Sequence, residues 1–310
     1  MISYQVLAPS QRSGYRTMTF PAYRHLLAPR PAPAAGGPGA LAVAASLFGR
    51  PQGLALAGLP PAGSGEDPRL LSLYVQPVAR RQGVGTGLLR HLQDELAGRG
   101  DTRLTTSYIA GRPAIPFFEK ALANAGWKPP TTRAWNLRFT RDEARGVPWF
   151  QKYELGPDFE MFPWAELGEA ERQELLRSQE ETGWIAEDLV PWKFDAELEP
   201  FLSLGLRHRG QVVGWVLYHV IAADTVRMAC VYVRPDLQRL GKILPVFSES
   251  LDRLRRTPYV WVSAVTRSHH PRMHRFFERW CGPWASFLEE CRESEKTFAA
   301  AGAAAGEAGR

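Results

Sequence analysis

The sequence predicts an α/β protein built from two copies of one unit, each a mixed central sheet flanked by helices. Three observations carry this. Short apolar runs of strand length alternate with stretches of helical periodicity throughout the chain. Landmarks recur in order at nearly constant offset: Tyr74-Val75-x-Pro77 and Tyr232-Val233-x-Pro235 lie 158 apart, Phe117-Phe118-Glu119-Lys120 and Phe276-Phe277-Glu278-Arg279 lie 159 apart, and Gly49-x-x-x-Gly53 and Gly210-x-x-x-Gly214 lie 161 apart. Three matches in order argue for an internal duplication. Finally, 310 residues at 45% apolar composition suffice to close two cores of roughly 150 residues each.

The elements of the first copy follow in order. "ISYQVLA" reads as a strand, Tyr15 to Leu27 as helical, and "ALAVAASLF" with "GLALAGL" as a hairpin across Gly49. "RLLSLYV" is a strand running into the glycine turn, and Leu88, Leu89, Leu92 and Leu96 then fall at helical spacing, one apolar face for the sheet. "RLTTSYI" is the next strand, "AIPFFEKALANAGW" the next helix, and "AWNLRFT" a closing strand. In the second copy "SLGLRHRGQVVGWVLYHV" is the hairpin, "TVRMACVYV" the strand, Leu244, Phe247, Leu251 and Leu254 the helix face, and "YVWVSAV" the following strand. "RDEARGVPW", residues 141–149, mixes charge with Gly and Pro and sets the expected boundary between domains 1–145 and 146–298. "APRPAPAAGGPGA", residues 28–40, reads as a mobile low-complexity loop, and residues 299–310 as a disordered tail.

Composition narrows the function classes. No apolar run approaches the roughly 20 residues of a membrane span, and the start "MISYQVLAPS" lacks the basic-then-apolar pattern of an export signal. A cytoplasmic protein is expected. Three cysteines, Cys230, Cys281 and Cys291, share no CxxC spacing and suit reduced thiols. The net charge of +6 favours a polyphosphate or an acidic carrier protein. Only six of the 38 basic residues are lysines, and the arginines form no block or stripe, so nucleic acid is not an expected partner. His269, His270 and His274 cluster without a carboxylate or cysteine at ligand spacing, and no metal is expected.

The turn "YVQPVARRQGVGTGLL" is the richest signal. A strand turning sharply into a helix leaves backbone N–H groups unpaired at the positive end of the helix dipole, which suits an anion. Glycines let phosphate approach the backbone, and Arg80 and Arg81 add charge. The spacing of Gly83, Gly85 and Gly87 fits neither G-x-x-x-x-G-K-[ST] nor G-x-G-x-x-G, and the turn follows a fourth strand where a dinucleotide turn follows an opening one.

Val75, Pro77, Arg80, Gly83 and Gly85 instead resemble the acyl-coenzyme A motif of the GNAT acetyltransferase superfamily, V-x-P-x-x-[QR]-x-x-G-x-[GA]. "GRPAIPFFEKALANAGW" resembles a second family motif, N-x-x-A-I-x-x-Y-E-K-x-G-F, at Ala114, Ile115, Glu119, Lys120 and Gly126. The resemblance spans residues 1–298 and implies two tandem GNAT domains, a layout similar to that of mycothiol synthase. It implies an acyl-CoA, acetyl by default or longer, with the backbone of Leu73, Tyr74 and Val75 facing the acyl carbonyl and pantetheine. The pyrophosphate would lie on Arg81, Gln82, Gly83, Val84, Gly85 and Thr86, and Arg80 and Phe118 are further expected cofactor-binding residues.

The chain departs from the family pattern where protons move. The tyrosine of Y-E-K is Phe118, and Phe277 in the second copy; neither can donate a proton. The family's asparagine is Gly111 in the first copy and His270 in the second. The strand position that holds a glutamate base in some relatives is Arg69, and Arg227 in the second copy, leaving Glu66 and Asp67 as candidate bases through water. The second turn keeps Gln238 and Gly241 but places Ile243 where a small residue belongs, so this copy is expected to bind coenzyme A weakly or not at all. It is expected to help form the acceptor cleft, lined by Trp184, Trp192, Trp215, Tyr218 and His219 near Glu187 and Asp188; packing of these aromatics in a core is the equal alternative. The resemblance implies transfer of an acyl group from coenzyme A to a primary amine of a small molecule or peptide. The alternatives are a non-catalytic acyl-CoA sensor and an acyl carrier protein as donor.

Overall fold

In the computed structural model residues 1–28, 39–145, 147 and 153–298 are described. Most of the low-complexity loop, most of the linker after Arg145 and the tail after 298 lie outside the described residues. The chain forms two compact units, Met1–Arg133 with Cys291–Arg310 and Ala134–Glu290.

The first unit contains strands β1 (Ile2–Val6), β2 (Gly39–Leu47), β3 (Arg50–Leu59), β4 (Arg69–Val75) and β5 (Arg103–Ile109), helices α1 (Val84–Gly98) and α2 (Ile115–Asn124), and the end of β12 (Phe287–Thr297). Its strand order is β1-β2-β3-β4-β5-β12. β1 to β4 are antiparallel neighbours, β4 runs parallel to β5, and β5 is antiparallel to β12. Side chains alternate across β2 and β3, and both faces are buried. Leu41, Val43, Ala45, Ala55 and Ala57 face Leu88, Leu89, Leu92 and Leu96 of α1, while Ala42, Ala44, Leu54 and Leu56 face Leu7, Tyr15, Met18 and Leu27. Two covered faces explain the uninterrupted apolar runs. Each leucine of α1 contributes about 1.5–3 kcal/mol by leaving water. The stretch Tyr15–Leu27, expected as one helix, is two 3₁₀ segments, Pro9–Met18 and Pro21–Leu27, each opened by a proline.

The second unit contains the greater part of β6 (Thr131–Thr140), then α3 (Arg141–Arg145), β7 (Phe159–Pro163), α4 (Glu169–Thr182), β8 (Leu204–His208), β9 (Gln211–Ala222), β10 (Thr225–Val233), α5 (Pro235–Gln238), α6 (Ile243–Leu254), β11 (Trp261–Arg267) and α7 (Pro271–Phe276). The order is β6-β11-β10-β9-β8-β7. Trp215 and Leu217 of β9 pack toward Leu175 of α4, and Val216 and Tyr218 toward Val246, Phe247, Leu251 and Leu254 of α6.

The units do not follow the division expected at residue 145. Each takes its last strand from the far half of the sequence. β5 pairs with β12 from Cys291↔Ile109 to Thr297↔Arg103, and β11 pairs with β6 from Trp261↔Thr140 to Arg267↔Ala134. The strand "AWNLRFT" thus closes the second sheet, not the first.

The duplicated glycines have one physical reason in both copies. Gly53 lies opposite Val75 and Gly214 opposite Val233. A Cβ on either would lie 2.7 Å from the Tyr74 carbonyl or 2.8 Å from the Tyr232 carbonyl, so the strand leading to each turn approaches too closely for any side chain. Among the described residues no helix is long and apolar enough to cross a membrane.

Candidate active site

β4 and β5 are in parallel register at Arg69↔Thr105 and separate beyond it. Thr105 N–H donates to the Pro68 carbonyl at 3.0 Å and Thr106 Oγ1 to that of Leu70 at 3.2 Å. Toward Val75 no further register joins the two strands among the described residues, so one backbone edge of Leu71–Val75 is open to a ligand.

The turn that follows is held from behind and open in front. Arg80 Nε donates to the Val75 carbonyl at 3.1 Å, and Gln238 Nε2 makes the same bond to Val233 at 3.1 Å in the second unit. The arginine expected beside the phosphate therefore pins the strand end. Gln82 Nε2 caps the Val78 carbonyl at 3.0 Å. Among the described residues the N–H groups of Arg81, Gln82, Gly83, Val84, Gly85 and Thr86 find no acceptor, and the first bond of the helix runs from Gly87 N–H to the Gly83 carbonyl at 2.9 Å. Six donors at a helix N-terminus make a cradle for an anion.

The three glycines divide the work. Gly83 has φ +78° with nothing within 4 Å of where a Cβ would stand. A Cβ on Gly85 would meet Val75 Cγ2, Ala121 Cβ and Leu73 Cδ2 at 3.6–3.8 Å, ordinary contact that allows alanine but little more. Gly87 belongs to packing, because a side chain there would collide with the Tyr4 ring. Arg81 is exposed, with φ 62°. Its guanidinium lies 5.9 Å from the ring of the exposed Phe117, and among the described residues neither Arg80 nor Arg81 has a carboxylate partner.

The second turn is largely closed. Leu240, Gly241 and Leu244 N–H groups return to Leu237, Gln238 and Gly241 carbonyls at 3.1, 3.4 and 3.0 Å. The Tyr153 ring lies 3.0 Å from where a Gly241 Cβ would stand, and Lys242 Nζ donates to the Glu154 carbonyl at 3.2 Å. The chain's own segment thus occupies the approach to this turn.

Phe118 stands edge-on to Tyr108, with ring centroids 5.0 Å apart. The Tyr108 hydroxyl donates to Glu119 Oε1 at 2.8 Å, and Arg292 Nη1 holds the same oxygen at 3.1 Å. Sequence reasoning missed this phenol because it looked only at the Y-E-K position; the alternation of β5, with Leu104, Thr106 and Tyr108 on one face, is the signal that finds it.

Glu66 and Asp67 are not brought beside the open edge of β4. Asp67 is taken up by Arg103 at 2.5 Å, and Glu66 is an exposed loop residue. Both precede the paired end of β4, six and seven residues before Leu73, or about 20 Å of strand. The aromatic group divides similarly. Trp215 and Tyr218 are fully buried, and the Trp215 indole donates to Cys230 Sγ at 3.3 Å. His219 Nε2 is tied to the Phe194 carbonyl at 2.9 Å. Trp215 and Tyr218 are therefore core, whereas His219 is half-buried with Nδ1 3.7 Å from the exposed Glu197 carboxylate, and Trp192 is half-buried against the cluster of Trp215. Trp184 packs on Trp215 and Tyr232 and lines a cavity of about 540 Å³ with Glu171, Glu174 and Arg234. Burial pushes the Cys230 and Cys281 thiols up to about 12, so neither serves as a nucleophile. His274 stacks on Trp135 at 4.1 Å. His269 and His270 both meet Asp188, a carboxylate that sequence spacing did not place beside them.

The sequence model of the acetyltransferase (GNAT) family matches residues 11–123 and 155–282, once in each half. No curated protein matches the chain by sequence. Among solved structures the chain is similar to a tandem GNAT protein from the clavulanic acid biosynthesis pathway, at 15% identity and a TM-score of 0.50, covering 96% of this chain and 98% of that one. It is also similar to a GCN5-related N-acetyltransferase from Sphaerobacter thermophilus, at 16% identity and a TM-score of 0.55, covering 96% and 95%. At these identities the likeness is one of fold.

Proposed function

The chain belongs to the acetyltransferase (GNAT) family, and from that premise we propose that it is an N-acyltransferase moving an acyl group, acetyl by default, from coenzyme A to a primary amine of a small molecule or peptide. The observation that carries the reading is the contrast between the turns. Among the described residues Arg81–Thr86 presents six N–H groups without an acceptor and an exposed arginine to an anion, whereas at the second turn the Leu240, Gly241 and Leu244 N–H groups are bonded within the turn and the Tyr153 ring lies against Gly241. The pyrophosphate of the donor belongs on the first turn, with the pantetheine arm along the open edge of Leu73–Val75.

The donor supplies an activated thioester. The amine nitrogen attacks its carbonyl carbon, a C–N bond forms, the C–S bond breaks, the amine gives up a proton to water, and the departing thiolate takes one up. The chain contributes position and fixed donors: the β4 edge orients the thioester and stabilises the developing oxyanion. Phe118 cannot protonate the thiolate. Tyr108, against Phe118 and hydrogen-bonded to Glu119, is the phenol we assign to that step.

The test is release of free thiol from acetyl-CoA against a panel of amines and amino-terminal peptides. Turnover with at least one amine is expected, and Tyr108→Phe should lower kcat by tenfold or more with little change in KM. Tight coenzyme binding without turnover on any amine makes the chain an acyl-CoA sensor. Turnover that requires an acyl carrier protein reassigns the donor.

A further inference from the structure

The second unit brings together three side chains that neither the turn nor the transfer chemistry uses. Asp188 lies on a short 3₁₀ segment, Glu187–Leu189, and His269 and His270 lie between β11 and α7. His269 Nε2 is 3.0 Å from Asp188 Oδ2, and His270 Nε2 is 3.1 and 3.0 Å from Oδ1 and Oδ2. The three ligand atoms all lie within 4.8 Å of one another.

We propose that Asp188, His269 and His270 form a binding site for a divalent transition metal of the zinc class. Two imidazole nitrogens and one carboxylate oxygen are the donor set that zinc, cobalt and nickel accept, and one that the oxygen-seeking calcium and magnesium do not favour. Bonds of about 2.1 Å around a tetrahedral ion set ligand atoms about 3.4 Å apart, so the imidazole and carboxylate atoms need open by only a few tenths of an ångström. With the ion bound, each ring carries its proton on Nδ1 and offers Nε2. The side chains of Asp188 and His269 are 30% and 59% exposed, which gives the ion a path in and leaves a coordination position for water.

One group opposes the ion. Arg267 Nε lies 3.8 Å from Asp188 Oδ2, on a side chain 55% exposed that can turn into solvent. Occupancy would join two strands that part. β10 and β11 are in register from Thr225↔Trp261 to Met228↔Ala264, and among the described residues the register does not continue toward Val233 and Arg267. The Asp188 segment is fastened beside β10 by Cys230 Sγ donating to the Leu189 carbonyl at 3.2 Å, and His270 follows β11. An ion at the cluster would therefore clamp the separated ends of this strand pair.

The experiment uses the full chain without an affinity tag. Co(II) is titrated and read by its visible absorption, then displaced by Zn(II), with affinities taken from competition against a chromophoric chelator. One equivalent should bind with a four-coordinate cobalt spectrum, and Zn(II) should raise the melting temperature. Asp188→Asn and His269→Ala/His270→Ala should each weaken Zn(II) binding by 100-fold or more and abolish the thermal shift, while circular dichroism reports whether each variant remains folded. Arg267→Ala, which removes the opposing cation, should bind more tightly. The assignment is overturned if the wild-type chain shows no cobalt spectrum at micromolar metal, if the double histidine variant binds Zn(II) with unchanged affinity, or if Arg267→Ala weakens binding.

Discussion

Replacing Arg81 with glycine separates what the turn does for folding from what it does for binding. Arg81 has φ 62°, a left-handed conformation that costs a non-glycine residue about 1–2 kcal/mol. Glycine removes that strain but returns about 0.5–1 kcal/mol through the greater freedom of the unfolded chain. The contact of Arg81 with Phe117, at 5.9 Å and exposed, contributes about 0.5 kcal/mol at most. The net change in stability lies between about −0.5 and +1.5 kcal/mol in favour of Arg81→Gly, a Tm shift between about −2 and +6 °C for a unit of roughly 150 residues. Coenzyme affinity moves the other way. An ionic hydrogen bond to phosphate is worth about 1.5–3 kcal/mol, reduced to about 1–1.4 kcal/mol for an exposed side chain in salt, which is a five- to tenfold rise in Kd. Calorimetric titration with coenzyme A at two salt concentrations, beside thermal melts of the free protein, reads both quantities. The salt dependence should also flatten in the variant. An unchanged Kd alongside an unchanged or raised Tm would refute the placement of phosphate against Arg81.

Two further outcomes follow from the fold. Residues 1–145 alone lack β12, whose register with β5 spans Cys291 to Thr297 and is joined by Lys128–Glu295 and by Ser294 Oγ to the Lys128 carbonyl; the loss of several kcal/mol is comparable with a typical stability of about 5–15 kcal/mol. This fragment should melt without a cooperative transition and regain one when a peptide of residues 287–298 is added; cooperative melting without the peptide would count against the exchange of strands. Glu171 receives Arg207 Nε at 2.6 Å and the Gly168 N–H at 3.0 Å, and the Arg207 hydrogen bond holds its carboxyl below the usual range. Because the folded-state value is depressed, its contribution is present above the unfolded value near 4.3 and is lost as pH falls through the folded one. Glu171→Gln should therefore lower Tm at pH 7 by a few degrees and lower it progressively less as the pH falls below the unfolded value; an equal loss across the acid range would show that charge is not involved.

What the sequence made legible is what physics repeats locally. Gly53 and Gly214 each mark the approach of the next strand, and the V-x-P-x-x-[QR] spacing puts Arg80 and Gln238 on the carbonyls of Val75 and Val233. The mixed sheets and the tandem arrangement follow from such signals. What was hidden depends on residues far apart in the chain. In the sequence Gly87 has no separate role from the other two glycines, but Tyr4 on β1 requires it. The exchange of β6 and β12 cannot be read locally, since a strand's own pattern does not name its neighbour. β12 is further disguised by "EECRESEK", charged on a strand that is largely half-buried. Asp188 meets His270 across 82 positions, so a spacing rule that expects metal ligands within one motif passes over it.

The central claim is that one coenzyme site exists per chain and that it is the turn at Gly83–Thr86. Calorimetric titration of acetyl-CoA into the wild-type chain, Gly85→Glu and Gly241→Glu tests it directly. The account predicts one equivalent for the wild type, loss of binding in Gly85→Glu with Tm within a few degrees of wild type, and retained affinity in Gly241→Glu. Two equivalents, or binding that survives at Gly85 and disappears at Gly241, would contradict it.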